Sequence, residues 1–246
     1  VIQRYAEPEI AALIVLFVAG ILFVIGHIIV SSFVRLAEAS RAKSEFISIV
    51  SHQLRAPLSA IRWQMDLFLN KNLTQQQDPN SIFFKIKEEN QRMIQLVGML
   101  LEVNRIEDNN LALTPKPFSL QTLINQVIQE FGRSAATPNV IVNFLDSEQL
   151  PLVFADENHI KGVLEYLLDN AVRYTAQEGK VLIKLESADS HSLRCSITDQ
   201  GIGISAEDAK RIFSKFFRAA SALRYQTQGL GLGLYIAKKI IEASGG

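Results

Sequence analysis

The chain opens with a long apolar run. The stretch from Ile10 to Val30 holds 18 apolar residues in 21 positions. At about 1.5 Å per residue, a helix of this length crosses a hydrocarbon core of roughly 30 Å. The run exceeds the ~7–15 apolar residues of a signal peptide core, and no small-residue cleavage site follows it. The pattern therefore predicts a transmembrane helix at 10–30, after a short extracytoplasmic segment at 1–9.

Basic residues flank this run unequally. Arg35, Arg41 and Lys43 follow it closely, whereas Arg4 alone precedes it. Cytoplasmic flanks carry the excess of Lys and Arg. The rest of the chain is therefore predicted to lie in the cytoplasm, attached to an inner or plasma membrane. Because the sequence starts with Val1 rather than Met, we expect a further segment upstream.

Apolar residues then recur at spacings of three and four, the period of an amphipathic helix. A first such helix is predicted to run from the membrane to about Asn70, and a second to about Glu107. The second begins either at Thr74, in a Thr-x-x-Gln capping box, or after Pro79. Two helices cannot bury both apolar stripes by themselves. We therefore expect a homodimer that forms a four-helix bundle.

The pattern changes after a proline-containing linker at 109–120. Helical and strand periods alternate from there, which predicts an α+β layer with helices on one face of a sheet. A further strand pair is expected after Gly246. Predicted helices cover about 119–131, 156–174 and 231–243, and predicted strands cover about 140–145, 151–154, 180–187 and 192–199.

Composition narrows the classes of function. The chain carries 25 basic and 25 acidic side chains, and this balance gives no reason to propose a nucleic-acid partner. The single cysteine, Cys195, cannot form an intrachain disulfide, which suits a reducing compartment. Its alternating apolar setting predicts an inert core thiol.

Two glycine-containing segments follow the predicted strands. The first, DQGIGIS, begins at Asp199, and the second, QGLGLGLYIAKKI, leads into the last helix. Glycines there let backbone N–H groups approach phosphate oxygens at a helix N-terminus. A third segment, YLLDNAVRYT, places Asn170 midway along a helix. Its amide oxygen can bind Mg²⁺ or simply face solvent. Each segment alone is a weak signal.

Five segments taken in order resemble the H, N, G1, F and G2 boxes of bacterial sensor histidine kinases: SHQLRAPL, LLDNAVRYT, DQGIGIS, IFSKFFR and GLGLGL. The resemblance extends from about residue 42 to residue 246. It implies a dimeric helical phosphotransfer domain at 31–110 and an ATP-binding α/β sandwich of the Bergerat type at 111–246, with its C-terminal strands missing. The implied reaction is autophosphorylation on a histidine with ATP. The phosphoryl group would then pass to an aspartate of a response regulator receiver domain.

The resemblance also implies a role for each matching residue. His52 is the expected phospho-acceptor, because neutral imidazole is nucleophilic near physiological pH, and Gln53 is expected to orient its ring. Asn170 is expected to hold Mg²⁺, and Asp199 to accept a hydrogen bond from the adenine amino group. The other expected nucleotide contacts are Arg173, Tyr174, Gly201, Gly203, Arg218, Gly229, Gly231 and Gly233, with Phe213 and Phe217 bracing the lid over the nucleotide.

Four positions depart from the family pattern. Gln53 stands where Glu or Asp is common, so it can fix the tautomer of the acceptor but offers no full charge. Ala56 lacks the polar group that positions water for dephosphorylating the regulator. Tyr166 replaces an amide or acid one turn before Asn170, and Leu230 replaces Thr or Ser. Two alternatives therefore stay open: a nucleotide-binding pseudokinase that acts as a scaffold, and an ATPase that moves by clamping.

Overall fold

A computed structural model describes residues 8–69, 79–108, 110–134, 140–146, 150–176, 178–189, 191–225 and 229–246. The chain forms two compact units, of which the first ends at His52 and the second begins at Gln53. Helix α1 (Pro8–Leu69) contributes to both.

Helix α1 is continuous, as the spacing of its apolar positions predicts. Its stretch Ile14–Val34 has a mean hydropathy of 2.8, and by length and composition it can cross a membrane. Large apolar side chains such as Phe17 and Phe23 are exposed along this stretch. Pro57 lies inside the helix, buried, and does not end it.

Helix α2 (Pro79–Glu107) begins at the second of the two predicted positions; the other, Thr74, lies outside the described residues. The rings of Phe68 and Phe83 lie 5.1 Å apart between centroids, which joins the end of α1 to the beginning of α2. Leu96 and Val103 of α2 are buried.

The remainder of the described chain is an α/β fold that matches the predicted order of elements. Sequence analysis missed three short ones, because three to six residues are too few to display a period; these are β1, α5 and α6. The helices are α3 (Leu120–Ser134), α4 (Glu157–Tyr174), α5 (Ala206–Ala209), α6 (Ala220–Tyr225) and α7 (Gly233–Ala243), and the strands are β1 (Lys116–Phe118), β2 (Ile141–Asp146), β3 (Val153–Ala155), β4 (Lys180–Ser187) and β5 (Leu193–Thr198).

The three longer strands form one sheet in the order β2-β4-β5. Strand β4 pairs parallel with β2 and antiparallel with β5. Its side chains Val181, Ile183 and Leu185 are buried, whereas Lys184 between them is exposed. One face of the sheet is therefore covered, and helix α4 packs against β5, α3 and α7. The predicted layer, with helices on one face of a sheet, is confirmed.

Strands β1 and β3 form a separate antiparallel pair, and Phe118 of β1 is buried. On β5, Cys195 is half-buried. Burial raises the pKa of its thiol to about 11. The thiol therefore stays protonated near neutral pH, as expected of an inert residue.

Candidate nucleotide-binding site

Helix α4 carries three of the predicted nucleotide contacts, and a buried carboxylate fixes where this helix begins. Asp156 is the N-cap: its Oδ1 accepts from the backbone N–H of His159 at 3.1 Å. Its Oδ2 accepts from the backbone N–H of Thr114 at 2.8 Å. Burial alone would raise the pKa of Asp156, but these hydrogen bonds and His159 lower it to about 2. Asp156 therefore stays ionised and ties α4 to the segment before β1.

The C-terminal end of α4 meets the DQGIGIS segment. Thr175 ends the helix and forms an isolated β-bridge with Gly201. A Cβ at Gly201 would lie 2.6 Å from the carbonyl oxygen of Tyr174 and 2.7 Å from Asp199 Oδ1, so a side chain cannot fit there. The N–H of Gly201 donates to Asp199 Oδ1 at 2.8 Å. The glycine thus fixes the orientation of the Asp199 carboxylate.

The glycine-rich segment before α7 is held against the IFSKFFR segment. The N–H of Phe216 donates to the Gly231 carbonyl at 3.0 Å. A Cβ at Gly231, where φ is 69°, would lie 2.6 Å from the carbonyl oxygen of Phe217. Arg218 Nη1 donates to the Gly229 carbonyl at 3.3 Å. Close backbone contact therefore requires glycine at position 231.

Arg173 forms an ion pair instead of pointing alone into the cavity. Its Nε and Nη2 donate to the two carboxylate oxygens of Asp169, at 3.0 and 2.7 Å. This pair spans one helical turn of α4. A role for Arg173 at a phosphate would require this ion pair to rearrange.

A cavity of about 2100 Å³ brings most of the predicted site residues together. Its volume exceeds the roughly 300–1,000 Å³ of a typical small-molecule site, so a nucleotide fills only part of it. Gly201 supports the cavity wall by orienting the carboxylate of Asp199. Phe213 lies against Lys238, whose Nζ is 5.4 Å from the ring centroid. The predicted residues that line the cavity are Asn170, Arg173, Tyr174, Asp199, Gly203, Phe217, Arg218, Gly229, Gly231 and Gly233.

The helical SHQLRAPL segment places its histidine at the surface of α1. The His52 side chain is exposed on α1, Gln53 is half-buried and Ala56 is exposed. An exposed imidazole is open to a reaction partner.

The donor set for Mg²⁺ is small. Among the described residues, no group of three or more His, Cys, Asp or Glu side chains lies close enough together to hold a metal ion. Asn170 is half-buried and lines the cavity. Its amide oxygen suits Mg²⁺, which binds few protein ligands and keeps water and phosphate oxygens as the others. The residues present therefore fit a Mg²⁺ ion carried by the nucleotide phosphates.

Sequence reasoning missed the contacts that three side chains make in and around the site. Tyr225 of α6 contacts the C-terminal end of α4: its ring lies 6.3 Å from that of Tyr174, and its hydroxyl donates to the Thr175 carbonyl at 3.4 Å. The Tyr166 hydroxyl donates to Glu102 of α2 at 3.2 Å. Lys215 forms an ion pair with Glu107. These pairs are far apart in the sequence, and no local pattern marks them.

Two protein families match the chain. Residues 42–109 match the family described as His Kinase A (phospho-acceptor) domain. Residues 155–246 match the family described as histidine kinase-, DNA gyrase B-, and HSP90-like ATPase. Together the two matches cover more than half of the chain, in the order in which its helical and α/β elements occur.

Individual proteins agree with these matches. The sensor histidine kinase GacS of Pseudomonas protegens is 33% identical over 214 residues, which cover 85% of this chain and 23% of that protein. The chain thus spans about a quarter of this relative's length. The Acinetobacter baumannii histidine kinase AdeS has the same fold, with a TM-score of 0.59 at 24% identity over 78% of this chain and 86% of that one. Histidine kinase ThkA, solved in complex with response regulator protein TrrA, gives a TM-score of 0.55 at 28% identity over 82% of this chain and 55% of that one.

Proposed function

Because this chain belongs to the sensor histidine kinase family, we propose that it phosphorylates its own His52 with ATP. The phosphoryl group then passes to an aspartate of a response regulator receiver domain. One observation carries this proposal: a phospho-acceptor domain and an ATPase domain occur in one chain, and most of the nucleotide contacts expected of the family line one cavity.

The cavity residues divide the work of holding ATP. Asp199, oriented by the N–H of Gly201, accepts a hydrogen bond from the adenine amino group. The backbone at Gly229 and Gly231 borders the phosphates, and Arg218, already bonded to the Gly229 carbonyl, lies beside them. Asn170 would hold the Mg²⁺ ion, which would supply positive charge against the phosphate oxygens.

The transfer step needs few further groups. A ring nitrogen of neutral His52 attacks the γ-phosphorus, the new bond joins nitrogen to phosphorus, and the bond from the γ-phosphorus to the ADP oxygen breaks. The ring becomes cationic during attack and afterwards loses the proton on its other nitrogen. Gln53 offers an amide oxygen to that N–H and fixes the ring orientation, but it supplies no compensating charge.

The partners follow from exposed surfaces and from relatives. Large apolar side chains stay exposed on both helices of the hairpin, for example Trp63 and Phe84, and a second copy covers them in a four-helix bundle. ThkA has been solved with a response regulator, which supports a receiver domain as the acceptor here. The apolar stretch Ile14–Val34 anchors the chain in a membrane, with the catalytic part in the cytoplasm.

The two alternatives make different products. A pseudokinase binds ATP and leaves the protein unlabelled, and no observation favours it. A clamping ATPase releases ADP and phosphate and also leaves the protein unlabelled; the exposed His52 in a phospho-acceptor domain argues against it.

Incubation of the chain in detergent or nanodiscs with Mg²⁺ and ATP labelled on the γ-phosphate tests the proposal. We expect an acid-labile, base-stable label on the protein that is lost in His52→Ala. Asn170→Ala should slow the labelling at least about tenfold, as expected when a transition-state charge loses its support. Equal labelling of His52→Ala and the unmodified chain would contradict the proposal.

A further inference from the structure

Tyr166 makes a contact that its place in the sequence does not suggest. It lies on α4 one turn before Asn170, yet its hydroxyl donates to Glu102 Oε2 of α2 at 3.2 Å. Both side chains are half-buried. Burial, together with the nearby charge of Glu102, raises the pKa of Tyr166 well above its usual range. The phenol therefore keeps its proton and remains a donor at any physiological pH.

The ring of Tyr166 also contacts the beginning of α7. A Cβ placed on Gly233 would lie 3.4 Å from the ring Cδ1. Gly233 is the last glycine of the segment expected to border the phosphates. The Tyr166 side chain therefore links its own helix, α4, to α7 and α2. All three helices line the nucleotide cavity.

A second polar contact between the ATP-binding fold and α2 lies further along α2. Lys215, in the IFSKFFR segment, forms an ion pair with Glu107 near the end of α2. The Lys215 ammonium also lies 5.6 Å from the ring centroid of Tyr235. Both members of the ion pair are more than a third exposed, so the pair is individually weak. The half-buried hydrogen bond of Tyr166 is the stronger of the two contacts.

We propose that Tyr166 is a positioning residue whose hydrogen bond to Glu102 docks the ATP-binding fold onto helix α2 in the nucleotide-free protein. This inference rests on the proposed function. In the family pattern, the position of Tyr166 carries a second residue of the metal site, and here the same position serves docking. The bond sets a carboxylate into the wall of the same cavity that receives the triphosphate. The Glu102 carboxylate and the triphosphate would share one cavity, and their like charges repel. Binding of nucleotide therefore weakens the docked arrangement and releases the fold for transfer.

The Lys215–Glu107 ion pair supplies a direct readout of docking. A zero-length carbodiimide reagent joins an amine to a carboxylate only when the two touch, and mass spectrometry of the digested chain quantifies the Lys215–Glu107 product. The assay uses the full chain without ATP. A protein that never labels His52 would therefore refute the proposed function and leave the docking test intact.

Tyr166→Phe keeps the ring and removes the donor, and we expect it to lower the cross-link yield about fivefold, the factor that one hydrogen bond of ordinary net strength gives. Glu102→Ala should have the same effect, and the double variant should lose no more than either single one. Glu102→Gln keeps an acceptor oxygen and should retain most of the yield. Glu88→Ala, at an exposed glutamate on the same helix roughly four turns earlier, is the matched control and should change nothing.

Nucleotide gives the functional readout. A saturating non-hydrolysable ATP analogue with Mg²⁺ should lower the cross-link yield of the unmodified chain and leave that of Tyr166→Phe unchanged. Because the coupling between docking and nucleotide binding is reciprocal, Tyr166→Phe should bind Mg-ATP somewhat more tightly than the unmodified chain, and it should label His52 about fivefold faster. Wild-type cross-link yields in both Tyr166→Phe and Glu102→Ala would overturn the proposal. A large loss of Mg-ATP affinity in Tyr166→Phe would also overturn it, because that result would show that Tyr166 belongs to the metal site.

Discussion

The two helices of the hairpin and the α/β fold differ in how far they bury their large apolar side chains. In the α/β fold, large side chains such as Leu168, Ile183 and Ile236 are at most 2% exposed. Trp63 of α1 is 62% exposed, and Phe84 of α2 is 68% exposed. The α/β fold thus completes a core from its own elements, whereas the described residues of the helical hairpin leave apolar surface exposed, which the proposed dimer covers.

This difference separates binding from assembly. A closed core holds loops and helix ends in fixed positions, as the nucleotide cavity requires. The open helices carry His52 and, under the proposed function, contact a second copy and a receiver domain in turn. We therefore expect changes in the α/β fold to affect nucleotide affinity, and changes on the helices to affect assembly and transfer rate.

The largest effect should come from Gly201→Ala. The added methyl group would overlap the Tyr174 carbonyl and the Asp199 carboxylate that it orients. We expect at least about a hundredfold loss of ADP affinity by calorimetry, since the adenine contact and the wall move together. Gly162→Ala, on α4 with nothing within 4 Å of the added atom, is the control and should bind normally. Normal affinity of Gly201→Ala would show that this wall does not contact the nucleotide.

The next effect concerns assembly. Ile94 and Val97 lie one turn apart on α2, outside the cavity lining, and are 63% and 46% exposed. Burying each in a second copy is worth about 1.5–3 kcal/mol, so changing both to Glu should weaken dimerisation at least about a hundredfold. Analytical ultracentrifugation in detergent measures this, and Gln95→Glu, exposed on the same helix, is the control. An unchanged dimer would place the interface on another face.

A smaller effect is expected at the N-cap of α4. The pKa of Asp156 falls from 3.8 to about 2 in the fold, so its charge contributes about 2 kcal/mol at neutral pH. Because the folded pKa is the lower one, this contribution is present above about pH 4 and disappears as the pH falls towards 2. Asp156→Asn keeps the cap but cannot titrate.

Urea titrations of the two proteins in detergent test this prediction. The unfolding free energies should differ at pH 7 and converge as the pH drops below 4. A difference that is independent of pH would mean that the charge of Asp156 has no part in stabilising α4.

The smallest effect concerns Gln53, on the helical side of the comparison. Gln53→Glu should raise the rate of His52 labelling about tenfold, or roughly 1.4 kcal/mol at the barrier, because a carboxylate stabilises the developing imidazolium. Gln53→Ala should lower the rate, since the ring then loses its orienting partner. ATP affinity should be equal in all three. Equal single-turnover rates for Glu, Gln and Ala would exclude a catalytic role for this side chain.

The sequence predicted the long elements because their periods are local. Helices α1, α4 and α7 and the strands β4 and β5 each contain enough residues to reveal a spacing of 3.6 or 2. The order of five short segments then implied which residues share a site, and nine of the predicted nucleotide contacts line one cavity together with Phe217 of the predicted lid.

What the sequence could not predict depends on pairs that are distant along the chain. The sequence indicated only that Tyr166 replaces a metal ligand. The packing of α4 beside α2 shows that its hydroxyl reaches Glu102, 64 positions away. Arg173 was an expected nucleotide contact, and the sequence did not predict that Asp169 accepts two hydrogen bonds from it. Side-chain partners of this kind are decided by competition between several nearby groups, which a local pattern does not encode.

Direct localisation of the phosphoryl group tests the central claim. The chain in nanodiscs is incubated with Mg-ATP, digested at neutral or basic pH, and analysed by electron-transfer fragmentation, which preserves phosphohistidine. The account predicts one modified peptide, with the phosphoryl group on His52 and ADP formed in equal amount. A phosphoryl group on another residue, or ADP and free phosphate without any modified protein, would contradict it.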